Sequence, residues 1–145
     1  MYVIFDLDGT LADCEHRRHF IDDNDWDGFY EACDKDEPIW PIVMLFWLLK
    51  DEGTHRIEIW SGRSDQVREK TVAWLMKYNL LDVINNDIKL LMRPAGDYQD
   101  DVALKIGWLQ TEYLTPDLIF DDRDKVVKMW REQGIRCLQV ANGDF

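Results

Sequence analysis

The sequence predicts an α/β fold, a parallel sheet with helices on both faces. Three observations carry this. Short β-branched or aromatic runs alternate with stretches of helical periodicity. Three of the apolar runs end in clusters of polar residues, as strand ends at a ligand site do. The 145 residues show no internal repeat, linker or low-complexity tract, so they fit one domain large enough for a real core.

In chain order, Tyr2-Val3-Ile4-Phe5 reads as a buried strand ending in Asp6-Leu7-Asp8-Gly9-Thr10, where Gly9 permits a tight turn. Residues Asp13 to Glu37 are polar, acidic and aromatic by turns and read as a small helical insertion. Pro38 to Lys50 is predicted as a helix opened by prolines and closed near Gly53. Ile57 to Trp60 is a second strand running into Ser61-Gly62-Arg63. Ser64 then caps a helix to Tyr78 with Val67, Thr71, Trp74, Leu75 and Tyr78 on one face. Ile88 to Met92 is a third strand, and a helix from Asp100 or Asp101 to Tyr113 turns Leu104, Trp108 and Leu109 inward. Leu118-Ile119-Phe120 is a fourth strand ending in Asp121-Asp122. Asp124 caps a helix to Glu132 that Gly134 closes, and Cys137 to Val140 is the last strand.

Composition narrows the function classes. No apolar run reaches membrane-spanning length, and Pro41 interrupts the longest, Ile39 to Leu49. The N-terminus opens directly into a strand pattern, without the basic leader of a secretion signal. Three cysteines, Cys14, Cys33 and Cys137, suit reduced thiols in a cytoplasm better than a disulfide framework. A net charge of −12 repels long stretches of nucleic-acid backbone, so a nucleic-acid substrate would be gripped locally, at one end.

The three polar strand ends and the lysine of the helix after the third strand converge on one sheet edge. Asp6 and Asp8 follow the first strand, Ser61 and Arg63 the second, and Asp121 and Asp122 the fourth, while Lys105 sits near the start of its helix. With D-x-D-G-T at Asp6 to Thr10, S-G-R at Ser61 to Arg63, Lys105 and the D-D pair, the sequence resembles the haloacid dehalogenase superfamily of phosphotransferases. The resemblance implies a Rossmann-like fold and a magnesium-dependent phosphatase working through a phospho-aspartate. Asp6 would be the nucleophile and a metal ligand. Asp8 would protonate the leaving alkoxide, then activate water, and give its backbone carbonyl to the metal. Ser61 would hydrogen-bond a phosphoryl oxygen, with Thr10 and Gly62 among the substrate-binding groups. Lys105 would neutralise charge on nucleophile and phosphoryl group, and Asp121 and Asp122 would complete the metal site. The physics agrees: so many carboxylates cannot all stay ionised without a cation, and Mg2+ takes oxygen ligands and bridges to phosphate.

A closer resemblance covers the last third of the chain. Asp121-Asp122-Arg123, Val126-Val127, Met129-Trp130-Arg131, Gly134, Cys137, Gln139-Val140-Ala141 and Gly143-Asp144-Phe145 are similar to the phosphatase domain of T-even phage polynucleotide kinase–phosphatases, as are Met92-Arg93, Gly96-Asp97 and Asp101 to Lys105. This implies removal of 3′-phosphates from nucleic-acid ends or nucleotides, with Arg17, Arg63 and Asp101 as substrate-binding residues. Arg17 is expected to serve mainly nucleic-acid substrates; a solvated helix face is the plain alternative for Arg17 and Arg18. Salt links explain Arg93 and Arg123 equally well. No G-x-x-x-x-G-K-[ST] phosphate loop occurs, so no 5′-kinase activity is expected: either this is a free-standing phosphatase, or a kinase or ligase partner lies on another chain.

Rival readings stay open: a phosphatase of mononucleotides or other small esters, a phosphomutase, and a non-catalytic binding subunit in nucleic-acid repair. Cys14, His16, His19 and Cys33 fit no common zinc spacing. Trp26, Phe29 and Tyr30 could stack on a base but are expected to pack the insertion, and the remaining tryptophans, with Phe46, are expected in the core.

Overall fold

A computed structural model describes residues 1–82 and 88–143; Asp144 and Phe145 of the C-terminal resemblance lie outside the described residues. Strand β1 (Tyr2–Phe5) is central. Two short strands, β2 (Ala12–Asp13) and β3 (Glu37–Pro38), form an antiparallel pair that sets Asp13 opposite Glu37. Helices α1 (His19–Asp22) and α2 (Trp26–Glu31) and two single 3₁₀ turns lie between them. Then come α3 (Trp40–Glu52), β4 (Arg56–Ser64), α4 (Arg68–Lys77), β5 (Lys89–Arg93), α5 (Asp101–Thr111), β6 (Leu118–Arg123), α6 (Asp124–Glu132) and β7 (Cys137–Gly143).

The main sheet has the order β5-β4-β1-β6-β7, every pairing parallel. The chain builds outward from β1 through β4 to β5, then returns to add β6 and β7 on the other side. β1 is therefore the topological switch point, where the two crossovers leave a crevice at the strand ends.

Alternation along the strands divides the core. Val3, Phe5, Ile57 and Ile59 face one layer with Phe46 of α3 and Trp74 and Leu75 of α4. Tyr2, Ile4, Trp60 and Ile119 face the other, with Val126, Val127 and Trp130 of α6 and the half-buried Ile106, Trp108 and Leu109 of α5. Phe5 stacks on Phe120 at 4.6 Å and meets Phe46 at 5.0 Å, so one aromatic column ties β1, β6 and α3 together.

Several boundaries differ from the sequence reading. Pro38 pairs with Ala12 in β3, which delays the helix to Trp40, with Pro41 in its first turn. β4, β6 and β7 run further than expected, so Ser61-Gly62-Arg63 and Asp121-Asp122 lie on strands, each at a register irregularity that turns side chains off the regular pleat. Asp100 caps α5 by accepting from the Val102 amide at 2.9 Å. Asp124 does not cap α6: it is the first helical residue, and its carboxylate instead accepts from Gln139 Nε2 at 2.5 Å, fastening the helix to β7. Trp40 is half exposed on the outer side of α3, touching Trp47 and Tyr78 edge-on, rather than in the core.

Phe46→Ala should cost about 3–5 kcal/mol, the usual range for emptying a fully buried aromatic site. Urea unfolding measures it; a loss under about 1 kcal/mol would mean that α3 is not held by this ring.

Candidate active site

The site begins where β1 stops. Asp6 donates its amide to the Phe120 carbonyl at 2.9 Å, which fixes the end of β1 against β6. The chain then turns sharply: the amides of Thr10, Leu11 and Ala12 all reach the Leu7 carbonyl. Gly9 adopts φ +79°, and a Cβ there would stand 2.2 Å from Asp122 Oδ2. The glycine thus serves both the left-handed backbone and the approach of Asp122 to the turn.

Asp6, Asp121 and Asp122 are all buried, with one oxygen of each within 4.8 Å of the others. Among the described residues this is the one group of three or more side chains able to hold a metal ion. Lys105, buried in the second turn of α5, donates to Asp6 Oδ1 at 2.7 Å and to Asp121 Oδ2 at 2.8 Å. Three carboxylates face one ammonium, which bonds two of them, and the surplus negative charge appears in the titration of Asp6 and Asp122. Burial, with repulsion from Asp121 and Asp122, raises the Asp6 carboxyl well above its ordinary value despite Lys105. Burial and Asp121 push Asp122 up to about 7. Burial alone would discharge Lys105, but Asp121 and Asp6 hold it cationic. An all-oxygen set of this kind fits a hard cation such as Mg2+ and offers no soft ligand for zinc.

Asp121 is already engaged at both oxygens: Oδ2 also accepts from Trp130 Nε1 at 3.4 Å, and Oδ1 from the Arg123 amide at 3.2 Å.

Asp8 belongs to a second cluster. Its Oδ1 accepts from Arg17 NH2 at 2.5 Å and from Arg63 NH2, and its Oδ2 from Arg63 Nε at 3.3 Å. Burial would raise the Asp8 carboxyl; Arg63 and Arg17 more than offset this and hold it well below the usual carboxylate range. Arg17 is fully buried, not on a solvated face, with its guanidinium 4.1 Å over the Phe29 ring. Arg18 remains near the surface beside Glu15.

The residue behind both arginines is Asp36. It accepts from Arg17 Nε and NH2, each at 2.7 Å, and from Arg63 NH2 at 3.0 Å, while His16 Nε2 lies 2.9 Å from Oδ1. Sequence reasoning missed Asp36 because the run Asp34-Lys35-Asp36-Glu37 gives one acidic residue no mark over its neighbours.

A cavity of about 470 Å³ opens over these groups. Asp6, Asp8, Gly62, Arg63, Asp101, Lys105, Asp121 and Asp122 line it, whereas Thr10, Arg17 and Ser61 are buried behind its wall. Ser61 Oγ accepts from the Arg63 amide at 3.2 Å. The Thr10 hydroxyl has no hydrogen-bond partner among the described residues. Asp101 ties together Arg93 and Arg123 and crowds Gly62, where a Cβ would stand 3.0 Å from Asp101 Oδ1. Trp26 and Tyr30 line the mouth, and Phe29 packs under Arg17.

The family described as "Polynucleotide kinase PNKP phosphatase domain" matches residues 1–145. A protein of Autographa californica nuclear polyhedrosis virus, to which a bifunctional polynucleotide kinase/RNA ligase role is ascribed, is 31% identical over 134 residues, covering 90% of this chain and 18% of its own. A chain of the Pnkp1/Rnl/Hen1 RNA repair complex superposes with a TM-score of 0.81 at 34% identity, over 99% of this chain and 43% of that one. The chain therefore spans less than half the length of these relatives. The class C acid phosphatase of Bacillus anthracis shares the fold, with a TM-score of 0.64 at 17% identity over 99% of this chain and 67% of its own. No helix among the described residues is long and apolar enough to cross a membrane. With the whole chain matched and the buried carboxylates gathered at one sheet edge, the chain belongs to the polynucleotide kinase phosphatase domain family, on the haloacid dehalogenase-like hydrolase fold.

Proposed function

We propose that this chain is a magnesium-dependent polynucleotide 3′-phosphatase that works through a phospho-aspartate on Asp6. The observation that carries the reading is the convergence of Asp6, Lys105, Asp121 and Asp122 beside an Asp8 held by two arginines, at the base of one cavity. The family match supports phosphate-ester chemistry, and the RNA ligase and RNA repair names of the relatives support nucleic-acid ends as substrate.

In the first half-reaction an Asp6 oxygen forms a bond to phosphorus, the ester P–O bond breaks, and Asp8 gives a proton to the departing alkoxide. In the second, Asp8 takes a proton from water, whose oxygen bonds to phosphorus while the bond to Asp6 breaks, releasing phosphate. Asp8 in the free chain favours the ionised form, which suits the second half. For the first half it must gain a proton, which requires Arg63, the arginine of the pair that lines the cavity, to yield part of its hydrogen bonding to phosphoryl oxygens. Lys105 keeps Asp6 oriented and offsets charge as the phosphoryl group arrives. Asp6, Asp121, Asp122 and the Asp8 carbonyl would hold Mg2+, which supplies neutralisation of phosphoryl charge. Asp122 is the better inner ligand, since Asp121 is bonded to Lys105 and the Arg123 amide. Ser61, Thr10, Gly62 and Asp101 would shape the phosphoryl pocket and its wall. A kinase or ligase acting on the same ends is the proposed partner.

The first expected outcome is that Asp6→Asn loses turnover of a nitrophenyl phosphate by roughly 1,000-fold or more, as does stripping magnesium with chelator. Substantial turnover in Asp6→Asn would sink the nucleophile assignment.

We read Arg17 as acting on Asp8 rather than gripping the strand, a reading supported by its full burial. Because it reaches Asp8 from behind, Arg17→Ala should lower kcat/KM by the same factor, roughly 100-fold, on a nucleoside 3′-monophosphate and a 3′-phosphorylated oligonucleotide. A loss confined to the oligonucleotide would return Arg17 to strand binding.

The net charge of −12, with Asp27, Asp97 and Asp100 among the residues lining the cavity, favours small substrates. A panel of 3′-phosphorylated RNA and DNA oligonucleotides against nucleoside 3′- and 5′-monophosphates at fixed magnesium separates the readings. RNA 3′-phosphate is expected to be preferred; a large preference for a 5′-monophosphate would overturn the 3′-phosphatase assignment.

A further inference from the structure

We propose that the exposed ring of Trp26 is the platform on which the base of the terminal nucleotide stacks, and that the strand upstream of that nucleotide is left without a grip. The inference rests on the phosphatase reading above and adds to it the means by which the site takes its substrate.

Trp26, Phe29 and Tyr30 stand at i, i+3 and i+4 of α2 and share one helical face, yet their surroundings differ. Phe29 does the packing expected of all three. It is buried, and Arg17 lies over its ring and donates to its carbonyl at 3.1 Å. Tyr30 is half-buried, with its hydroxyl within reach of Arg93 on β5. Trp26 is 40% exposed, although it lines the cavity and meets the Phe29 ring edge-on at 6.0 Å and the Tyr30 ring at 6.2 Å. An aromatic ring that its neighbours hold, but leave open at a cavity mouth, loses little freedom when a base settles on it. The helix that carries it is also fixed. Arg17 ties Phe29 to the Asp8 cluster, and the Glu31 carbonyl accepts from Lys70 Nζ of α4 at 2.9 Å. The ring therefore keeps a constant place relative to Asp8.

One other exposed aromatic lines the same cavity: Tyr98, between β5 and α5. It is 92% exposed and has no ring contact among the described residues, so a base stacking there would first have to order the side chain. Charge argues against a grip on the strand itself. Each basic residue lining the cavity already faces a carboxylate. Arg63 faces Asp8, Lys105 faces Asp6, Arg93 and Arg123 face Asp101, and the half-exposed Lys125 faces Asp100. Asp27 and Asp97 add negative charge to the same lining. A backbone phosphate beyond the terminal one thus meets paired cations and surplus carboxylates, whereas a base meets a neutral ring. Every base has a π face, so stacking favours a nucleotide over a base-free sugar phosphate without reading sequence.

The test measures kcat/KM with magnesium for the wild-type chain, Trp26→Ala, Trp26→Phe and Tyr98→Ala. The substrates are a nucleoside 3′-phosphate, the matching base-free pentose 3-phosphate, and 3′-phosphorylated oligonucleotides of increasing length. The wild-type chain should favour the nucleotide over the base-free ester by about 5- to 100-fold, the range that stacking on one aromatic ring supplies. Trp26→Ala should cut that advantage to within about threefold, mainly through KM, while turning over the base-free ester as the wild-type chain does. Trp26→Phe and Tyr98→Ala should keep most of the advantage. Lengthening the oligonucleotide should raise kcat/KM by less than about threefold and should not steepen its fall with salt, since no further phosphate is neutralised. Equal losses on both esters in Trp26→Ala, or an advantage lost in Tyr98→Ala and kept in Trp26→Ala, would overturn the platform. A gain with length that steepens the salt dependence would overturn the ungripped strand. If Trp26→Ala lacks a cooperative thermal transition, Trp26→Leu takes its place; it keeps an apolar contact with Phe29 but offers no ring, and it should lose the same advantage. A wild-type chain that hydrolyses the nucleotide and the base-free ester equally well would refute this inference and leave the phosphatase reading standing. One that hydrolyses neither would remove the phosphatase reading itself, and the inference with it.

Discussion

One buried ammonium governs this site. Lys105 bonds to Asp6 on one strand end and Asp121 on the next, and without it three desolvated carboxylates would face each other unrelieved. Removing one member of a buried ion pair typically costs roughly 3–5 kcal/mol, because the charge left behind cannot be solvated. A lone lysine is still too little charge for three carboxylates. The fold therefore stores an unfilled demand for positive charge at the place where a cation and a phosphate would meet. Such a demand lowers stability in the free chain and becomes binding energy when a cation arrives, which is how a metal site exchanges folding free energy for affinity.

The backbone sets this demand. β1 is the switch point of the sheet, so the loops leaving it diverge and the crevice between them is the one place where side chains from β1, β4 and β6 can meet without covering one another. The two register irregularities fall on Ser61–Ser64 and Asp121–Arg123, the stretches that must turn charged side chains toward that crevice rather than into the apolar layers. Gly9 completes the geometry from the other side by leaving room for Asp122.

How much of this was legible depended on whether the signal was local. The sheet with its flanking helices could be read from periodicity, since each strand and helix buries its own apolar face. The D-x-D-G-T, S-G-R and D-D segments could be read because turn and strand-end chemistry is written in adjacent residues. The positions of Arg17 and Asp36 could not. Arg17 sits next to Arg18 in a polar run, and only tertiary packing buries one over the Phe29 ring and leaves the other near the surface. Asp36 gains its meaning from Arg63 on β4 and Trp74 on α4, residues distant in sequence. Trp40 failed in the opposite sense: its residue type favours burial, but helix phase turns it outward. Asp124 looked like a cap and was instead spent on β7, because a carboxylate at a helix start can bond to whichever amide or side chain comes closest.

The two charge clusters are kept apart, and this separation bears on how the proposed mechanism would run two opposite proton transfers in one site. Asp6, Asp121 and Asp122 are under-compensated and drawn toward cations; Asp8 is fully compensated by guanidiniums that Asp36 also holds. An arriving phosphate is attracted to both regions but changes them differently. Beside the first cluster it would add negative charge and deepen the need for a cation. Beside the second it would compete with Asp8 for the same guanidinium hydrogens, and the more of them it takes, the less Asp8 is held ionised. Had Asp8 shared the cluster of Asp6, its proton affinity would follow metal binding rather than substrate binding. In the proposed mechanism, placing it among arginines anchored from behind would make the acid respond to the substrate, while Asp36 would keep those arginines in place.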